Sequence, residues 1–95
     1  MFVGVMELHM ALVDNDSIKD KRSVVKRLIH RCRGTFNVGI SEVEEHDATD
    51  RAVLAAVAVN CDRQYLEGQF SRLEAFVERQ ALAELLDTPV SIEVY

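Results

Sequence analysis

The chain has 95 residues, of which 48% are hydrophobic and 28% charged, and it carries a formal net charge of −5. This length fits one domain, residues 1–95, and with one Pro and four Gly the composition excludes long linkers. No apolar run reaches the roughly 18 residues of a membrane helix, and the N-terminus lacks the features of a signal peptide. We therefore expect a cytoplasmic protein with no membrane contact. The two cysteines lack C-x-x-C spacing and are expected to be buried and reduced.

The first half of the chain predicts a strand, a helix and a second strand. Apolar residues alternate with period two over residues 2–13, which is typical of a strand with one face on the core. A polar break follows, where Ser17 is placed to cap a helix with Asp20 as its third residue. We expect this helix over residues 18–33, ended by Gly34 in a left-handed conformation. Alternation over residues 35–44 then predicts the second strand.

The first helix contains most of the positive charge of the chain. Seven of the eleven basic residues lie between Lys19 and Arg33 with one acid, so this segment sums to +6 and the remaining residues to −11. A segment that opposes the field of its own protein indicates contact with phosphate, with an acidic partner or with an internal acidic surface. A helical wheel places Ile18, Val25, Leu28, Ile29 and Cys32 on one face and most of the cations on the opposite face.

Few acids lie four residues from these cations to neutralise them. Exposed helix faces are commonly charged, and lysine and arginine favour helices, so an ordinary solvated face is the alternative to a phosphate contact. A nucleic-acid contact through this face would be made to the backbone, would be weakly sequence-specific and would be sensitive to salt. The candidate residues are Lys19, Arg22, Lys26, Arg27 and Arg33. Lys21 lies on the apolar face instead, where it must either extend past the helix N-terminus or meet a carboxylate. We expect it to extend.

The second half of the chain predicts a strand, a helix and a strand. Residues 52–59 form an almost unbroken apolar run, which is typical of a strand buried on both faces. Asn60 or Asp62 can cap a second helix that ends near Gln80 or Ala83. Residues 90–94 alternate after Pro89, which cannot donate to a ladder and so favours an edge strand.

The order β-α-β-β-α-β predicts an α+β fold, the ferredoxin-like two-layer sandwich, since right-handed crossovers give a four-stranded antiparallel sheet with two helices on one face. The first and third strands are central, and the other sheet face has no helix. We expect an apolar open face, with Ala11 and Ala58 among its residues, that is covered in a homodimer. The predicted interface residues are Val3, Val5, Ala52, Leu54 and Ala56.

The sequence contains no constellation that indicates catalysis. His9, His30 and His46 lack the spacing of a metal site, and the acids of residues 42–50 lack the pattern and glycine of a calcium loop. Phosphate-binding loops, dinucleotide motifs and nucleophile elbows are absent from the sequence. We therefore predict no catalytic residues, no metal and no cofactor.

The segment Ser-Ile-Lys-Asp-Lys-Arg-Ser at residues 17–23 is followed by Val24, Lys26, Phe-Asn-Val at residues 36–38 and Glu-Val at residues 42–43. With Arg-Ala at residues 51–52 and Asp-Arg at residues 62–63, this order resembles the YlxP-like family of small bacterial proteins, a domain of unknown function. The resemblance implies a ferredoxin-like fold and brings no established activity or catalytic residues. Genes of the family often neighbour genes of ribosome maturation and translation initiation.

Two hypotheses follow from these observations. The first is a noncatalytic module that binds RNA or ribosomal particles through the basic first helix. The alternative is a dimeric protein-interaction or small-ligand regulatory module that uses the open sheet face. In that version the basic residues contact an acidic protein.

Overall fold

The computed structural model describes residues 1–12 and 17–95. Two helices pack on one face of an antiparallel sheet. The elements are β1 (Phe2–Ala11), α1 (Ile18–Thr35), β2 (Gly39–Glu44), β3 (Arg51–Asn60), α2 (Arg63–Gln80), β4 (Glu84–Asp87) and β5 (Val90–Val94). The predicted end of the first strand at Val13 and the polar residues 14–16 lie outside the described residues.

The strand order is β2-β3-β1-β4, and β5 also pairs with β1. Both β1 and β3 are central, so the predicted ferredoxin-like arrangement is confirmed. The fourth strand is divided, because β4 pairs with His9–Ala11 of β1 and β5 pairs with Phe2–Met6. Between them the Pro89 carbonyl accepts a hydrogen bond from the Glu7 amide at 2.9 Å, which keeps the interrupted edge attached to β1.

The start of α1 agrees with the sequence prediction, and its end does not. The Ser17 hydroxyl caps the helix by accepting a hydrogen bond from the Asp20 amide at 3.1 Å. The helix continues through Gly34, and no glycine among the described residues has a positive φ. The chain leaves the helix at Phe36, which is extended and donates its amide to the Cys32 carbonyl. Gly34 is therefore a helical residue, and the predicted left-handed end is wrong.

The second helix shows the left-handed end that was expected of the first. Asp62, rather than Asn60, caps α2, since its carboxylate accepts a hydrogen bond from the Gln64 amide at 2.9 Å. The helix ends at Gln80, and the C-cap residue Ala81 has φ 56° and ψ 27°, which is the left-handed conformation. A residue with a Cβ is unfavourable in that conformation, and the Ala81 amide donates a hydrogen bond to the Glu78 carbonyl at 3.2 Å there.

The core lies between the sheet and the two helices. Its central residues come from β1, from β3, from α1 and from α2: Met6, Leu8, Met10, Ala52, Leu54, Ala56, Leu28, Cys32, Leu66, Phe70 and Leu73. Burial raises the pKa of the Cys32 thiol to about 11, because the thiolate loses its hydration there. Cys61 is exposed just after β3, so the expectation of two buried cysteines is correct for one.

The register of β1 and β3 corrects the predicted open face. Leu54 lies opposite Leu8, and directly opposite residues of a sheet share a face. The same holds for the other even-numbered residues of β3, so this set faces the helices with at most 7% of its surface exposed: Ala52, Leu54, Ala56 and Ala58. The prediction that these four residues lie on the open face is wrong. The prediction that Ala52, Leu54 and Ala56 belong to a dimer interface is therefore also wrong. Both faces of β3 are apolar, so the sequence shows no alternation that would tell which of its residues face the helices.

Gly4 and Gly34 give opposite expectations for alanine. A Cβ at Gly4 would lie 2.5 Å from the ring of Phe70, whereas a Cβ at Gly34 would meet nothing within 4 Å. The buried ring has no free space, so Gly4→Ala should lower the free energy of unfolding by about 1–3 kcal/mol. Gly34→Ala should raise it by up to about 1 kcal/mol, because alanine favours the helix. Urea denaturation measures both, and destabilisation by Gly34→Ala would contradict the helical end of α1.

Candidate nucleic-acid interface

The exposed side of α1 carries the predicted cations. We call this surface the basic stripe and define it by five exposed residues: Lys19, Arg22, Lys26, Arg27 and Arg33. The opposite side of the helix is anchored in the core by Val25, Leu28 and Cys32. At about 1.5 Å per residue the stripe extends over roughly 21 Å. That length corresponds to about six nucleotides of one stacked strand.

The stripe has few contacts within the protein. The ion pairs of the described residues join His9 with Glu7, Lys21 with Glu42 and Arg63 with Glu67, so none involves the stripe. Arg33 does make a hydrogen bond within the protein, because its Nη2 donates to the Ile40 carbonyl at 2.8 Å. The other four cations make no ion pair within residues 1–12 and 17–95. Three of them surround a shallow hollow of about 470 Å³ on α1: Lys19, Arg22 and Lys26.

Lys21 has a structural role instead. Its side chain is 1% exposed, and its Nζ lies 3.0 Å from Oε2 of Glu42, a side chain that is 17% exposed. The ammonium also donates to the backbone carbonyl of Glu45. Lys21 therefore meets a carboxylate, and the expectation that it extends past the helix N-terminus is wrong. The pair joins the first turns of α1 to the end of β2 and removes one cation from the surface.

Arg31 is also occupied within the fold. Its Nη1 donates to Oε1 of Gln80 at 2.8 Å, which joins α1 to the last turn of α2. Arg31 therefore has a partner on the neighbouring helix and is not part of the basic stripe. The segment of seven bases thus divides into surface cations and cations that hold elements together.

The open sheet face has an apolar half. Val3 and Val5 of β1 lie opposite Val59 and Val57 of β3, and we call these four residues the valine cluster. The exposed fractions are 39% for Val5, 45% for Val57 and 60% for Val59. The sequence prediction missed Val57 and Val59, since it assigned the other face of β3. Pairing β1 with β3 in register was the signal needed to find them.

The other half of the open face is charged. Oε1 of Glu7 lies 3.0 Å from Nε2 of His9, and both side chains are partly exposed. Beside them a hollow of about 300 Å³ has Glu45, Arg51 and Leu86 in its lining. Within residues 1–12 and 17–95, no three His, Cys, Asp or Glu side chains come together in the manner of metal ligands.

Two helices on one face of a sheet with β1 and β3 at its centre define a ferredoxin-like α+β domain. The fold is similar to the structural-genomics protein YJCS, with a TM-score of 0.55, 12% identity and coverage of 98% of this chain and 99% of that one. It is also similar to SnoaB, a cofactor-independent oxygenase from Streptomyces nogalater, with a TM-score of 0.51, 14% identity and coverage of 99% and 92%. At such identities these similarities show the fold alone.

The sequence identifies the family. Residues 3–90 match the family described as "Protein of unknown function (DUF503)". The chain is also 34% identical over 76 residues to the uncharacterized protein YlxP of Bacillus subtilis (strain 168), which covers 80% of this chain and 83% of that protein. The chain therefore belongs to the DUF503 family, as the resemblance of its motifs implied. In the part of the chain that the structure describes, neither helix is long and apolar enough to cross a membrane.

Proposed function

We propose that this chain is a noncatalytic module that binds RNA or ribosomal particles through the basic stripe. The observation that carries the proposal is a helix face of exposed cations without an acidic partner among the described residues, on a chain of net charge −5. Because the rest of the chain repels phosphate, an approaching polyanion is directed to this face. The field thus orients the complex as well as attracting the partner.

The binding mode that fits these residues is contact with the phosphate backbone. Side chains of Lys and Arg on a convex helix can reach phosphate oxygens without reading base edges. Recognition by base stacking needs aromatic rings on the central strands, and the open face there carries Val3, Val5, Glu7 and His9. We therefore expect weak sequence preference. With four phosphate contacts, the logarithm of affinity for a single strand should fall with the logarithm of salt at a slope of about −3.

Charge reversal of Arg22 and Lys26 tests the proposal. Arg22→Glu with Lys26→Glu should lower retention on RNA or ribosomal particles at low salt by at least about tenfold, since two phosphate contacts become repulsive. The neutral pair Arg22→Gln with Lys26→Gln should reduce the salt slope by about 1.4. Both quantities come from binding titrations over a series of salt concentrations.

The matched control is Arg72→Glu with Arg79→Glu on α2, where both arginines are exposed and the change in net charge is the same. This control should retain more binding than the α1 variant. Unchanged retention of Arg22→Glu with Lys26→Glu would rule the proposal out. Equal losses in both variants would assign the binding to net charge rather than to the basic stripe.

A second candidate function is a dimeric protein-interaction or small-ligand regulatory module that uses the open sheet face. The valine cluster favours it, because exposed apolar side chains at the centre of a sheet are commonly covered by a partner. Val3 and Val5 remain proposed interface residues, and Val57 and Val59 take the place of the buried residues of β3. Sedimentation equilibrium at micromolar concentration should then give twice the chain mass of 10.7 kDa.

A further inference from the structure

We propose that the open sheet face packs against the same face of a second copy around a two-fold axis that runs parallel to β1 and β3. This geometry rests on the dimer described above as the second candidate function. Three features support it: the size of the face, the position of the valine cluster within it and the small residues beside Val5 and Val57.

The size of the face requires that the two sheets overlap along their full length. At about 3.3 Å per residue and about 4.8 Å between strands, the two central strands of ten residues and the two edges of six and nine residues give a footprint of roughly 550 Å² per copy, before the relief of the side chains is counted. A stable interface buries about 800 Å² per partner. The whole face supplies about two thirds of that value, whereas the apolar half alone would supply about one third.

The position of the valine cluster favours an axis parallel to the strands over one perpendicular to them. A two-fold axis parallel to the central strands places β1 of one copy over β3 of the partner. The end of the sheet that carries the valine cluster then lies over the same end of the partner's sheet. Val5 then meets the partner's Val57, and Val3 meets the partner's Val59. With full overlap and an axis perpendicular to the strands, the cluster would instead cover the half that carries Glu7 and His9. The four valines would then no longer cover the valines of the partner, and less apolar surface would be buried against apolar surface.

The edges of the apolar half permit close approach. Gly39 of β2 lies opposite Val57, and Ser91 of β5 lies opposite Val5, so a small residue flanks this valine pair on each side, while Glu93 lies opposite Val3 at the end of the β5 edge. Under the parallel axis the β2 edge of one copy covers the β5 edge of the other, and sheets can then pack at the usual separation of about 10 Å. At the charged end Glu44 and Asp87 of the two copies face each other, so added salt should not weaken the dimer.

Cys61 provides a reporter of the axis. It is exposed and directly follows β3 at the valine end, whereas Cys32 is buried with a pKa near 11 and reacts poorly. Under the parallel axis the two Cys61 residues lie at the same end, separated by little more than the intersheet distance of about 10 Å. Under a perpendicular axis with full overlap they lie at opposite ends, about 30 Å apart.

The experiment combines sedimentation equilibrium with cross-linking of the native chain by a short bis-maleimide that spans about the intersheet distance. The expected result is a dimer mass and a covalent dimer that forms in high yield. Cys61→Ser should abolish the cross-link and leave the mass unchanged. Val57→Asp with Val59→Asp should give a folded monomer, with unchanged far-UV circular dichroism and little cross-linking, because both valines are exposed in the single chain.

The possible failures are distinguishable. A mass near 10.7 kDa at micromolar concentration would overturn the dimer and the axis together. A dimer mass could also be found without the short cross-link, while a bis-maleimide of about three times that span does give a covalent dimer. That result would overturn the parallel axis and leave the dimer. A dimer that persists in the Val57→Asp, Val59→Asp variant would place the interface elsewhere on the surface.

Discussion

Replacing Lys21 with methionine should lower the free energy of unfolding by about 3–5 kcal/mol, the usual cost of removing one partner of a buried ion pair. Oε2 of Glu42 is enclosed and accepts no aligned hydrogen bond from the described residues, so the Lys21 ammonium is the charge that balances it. Lys21→Met also leaves the Glu45 carbonyl without its donor. Urea denaturation of the variant and of the unchanged chain measures the loss.

The double variant Lys21→Met with Glu42→Leu should recover most of that stability, since apolar pairs of similar volume commonly replace buried ion pairs at little cost. Lys26→Met is the control on the same helix, because that side chain is exposed, and it should change the stability by less than about 0.5 kcal/mol. If Lys21→Met were as mild as the control, Lys21 would reach solvent and the ion pair would not form.

Leu54→Ala should cost about 2–5 kcal/mol, because the side chain is fully buried under the helices and its loss leaves a cavity. Val57→Ala, three residues along the same strand, should cost less than about 0.5 kcal/mol in the monomer, since it removes atoms from a side chain that is 45% exposed. Denaturation at a protein concentration low enough to exclude association measures both values.

The contrast between these two substitutions tests the register of β1 and β3. Moving the register by one residue would exchange the two faces of β3, and Val57→Ala would then be the costly change. Similar losses from both variants would show instead that the open face is covered even at low concentration.

The order of elements and the central position of β1 and β3 could be predicted because each rests on a local pattern. The alternation over β1 and the Ser17 cap depend on residues within a few positions of one another. The face of β3 depends on pairing with a distant strand, and a run of Ala, Val and Leu leaves its phase undefined. β4 was missed because it has four residues and pairs with β1 beside an irregularity in register.

For the candidate sites too, local patterns could be predicted and contacts between distant parts of the chain could not. The wheel located the basic stripe because a helix repeats every 3.6 residues, and that surface is exposed as expected. The partners of Lys21 and Arg33 lie on β2, which comes later in the chain and approaches α1 only in the folded protein. No spacing within the helix encodes those contacts. The valine cluster was half found, since Val3 and Val5 belong to the strand whose phase was clear.

The burial of Lys21 bears on how substitutions in this segment should be tolerated. Arg22 and Lys26 are exposed, so lysine and arginine should be exchangeable there with little effect on stability. At Lys21 the compact ammonium fills an enclosed space against Glu42, and the wider, planar guanidinium of arginine would not fit in the same way. We expect residue 21 to change together with residue 42 and independently of its basic neighbours. What looks like one basic motif in the sequence therefore contains two kinds of cation, one held inside the fold and the other exposed on its surface.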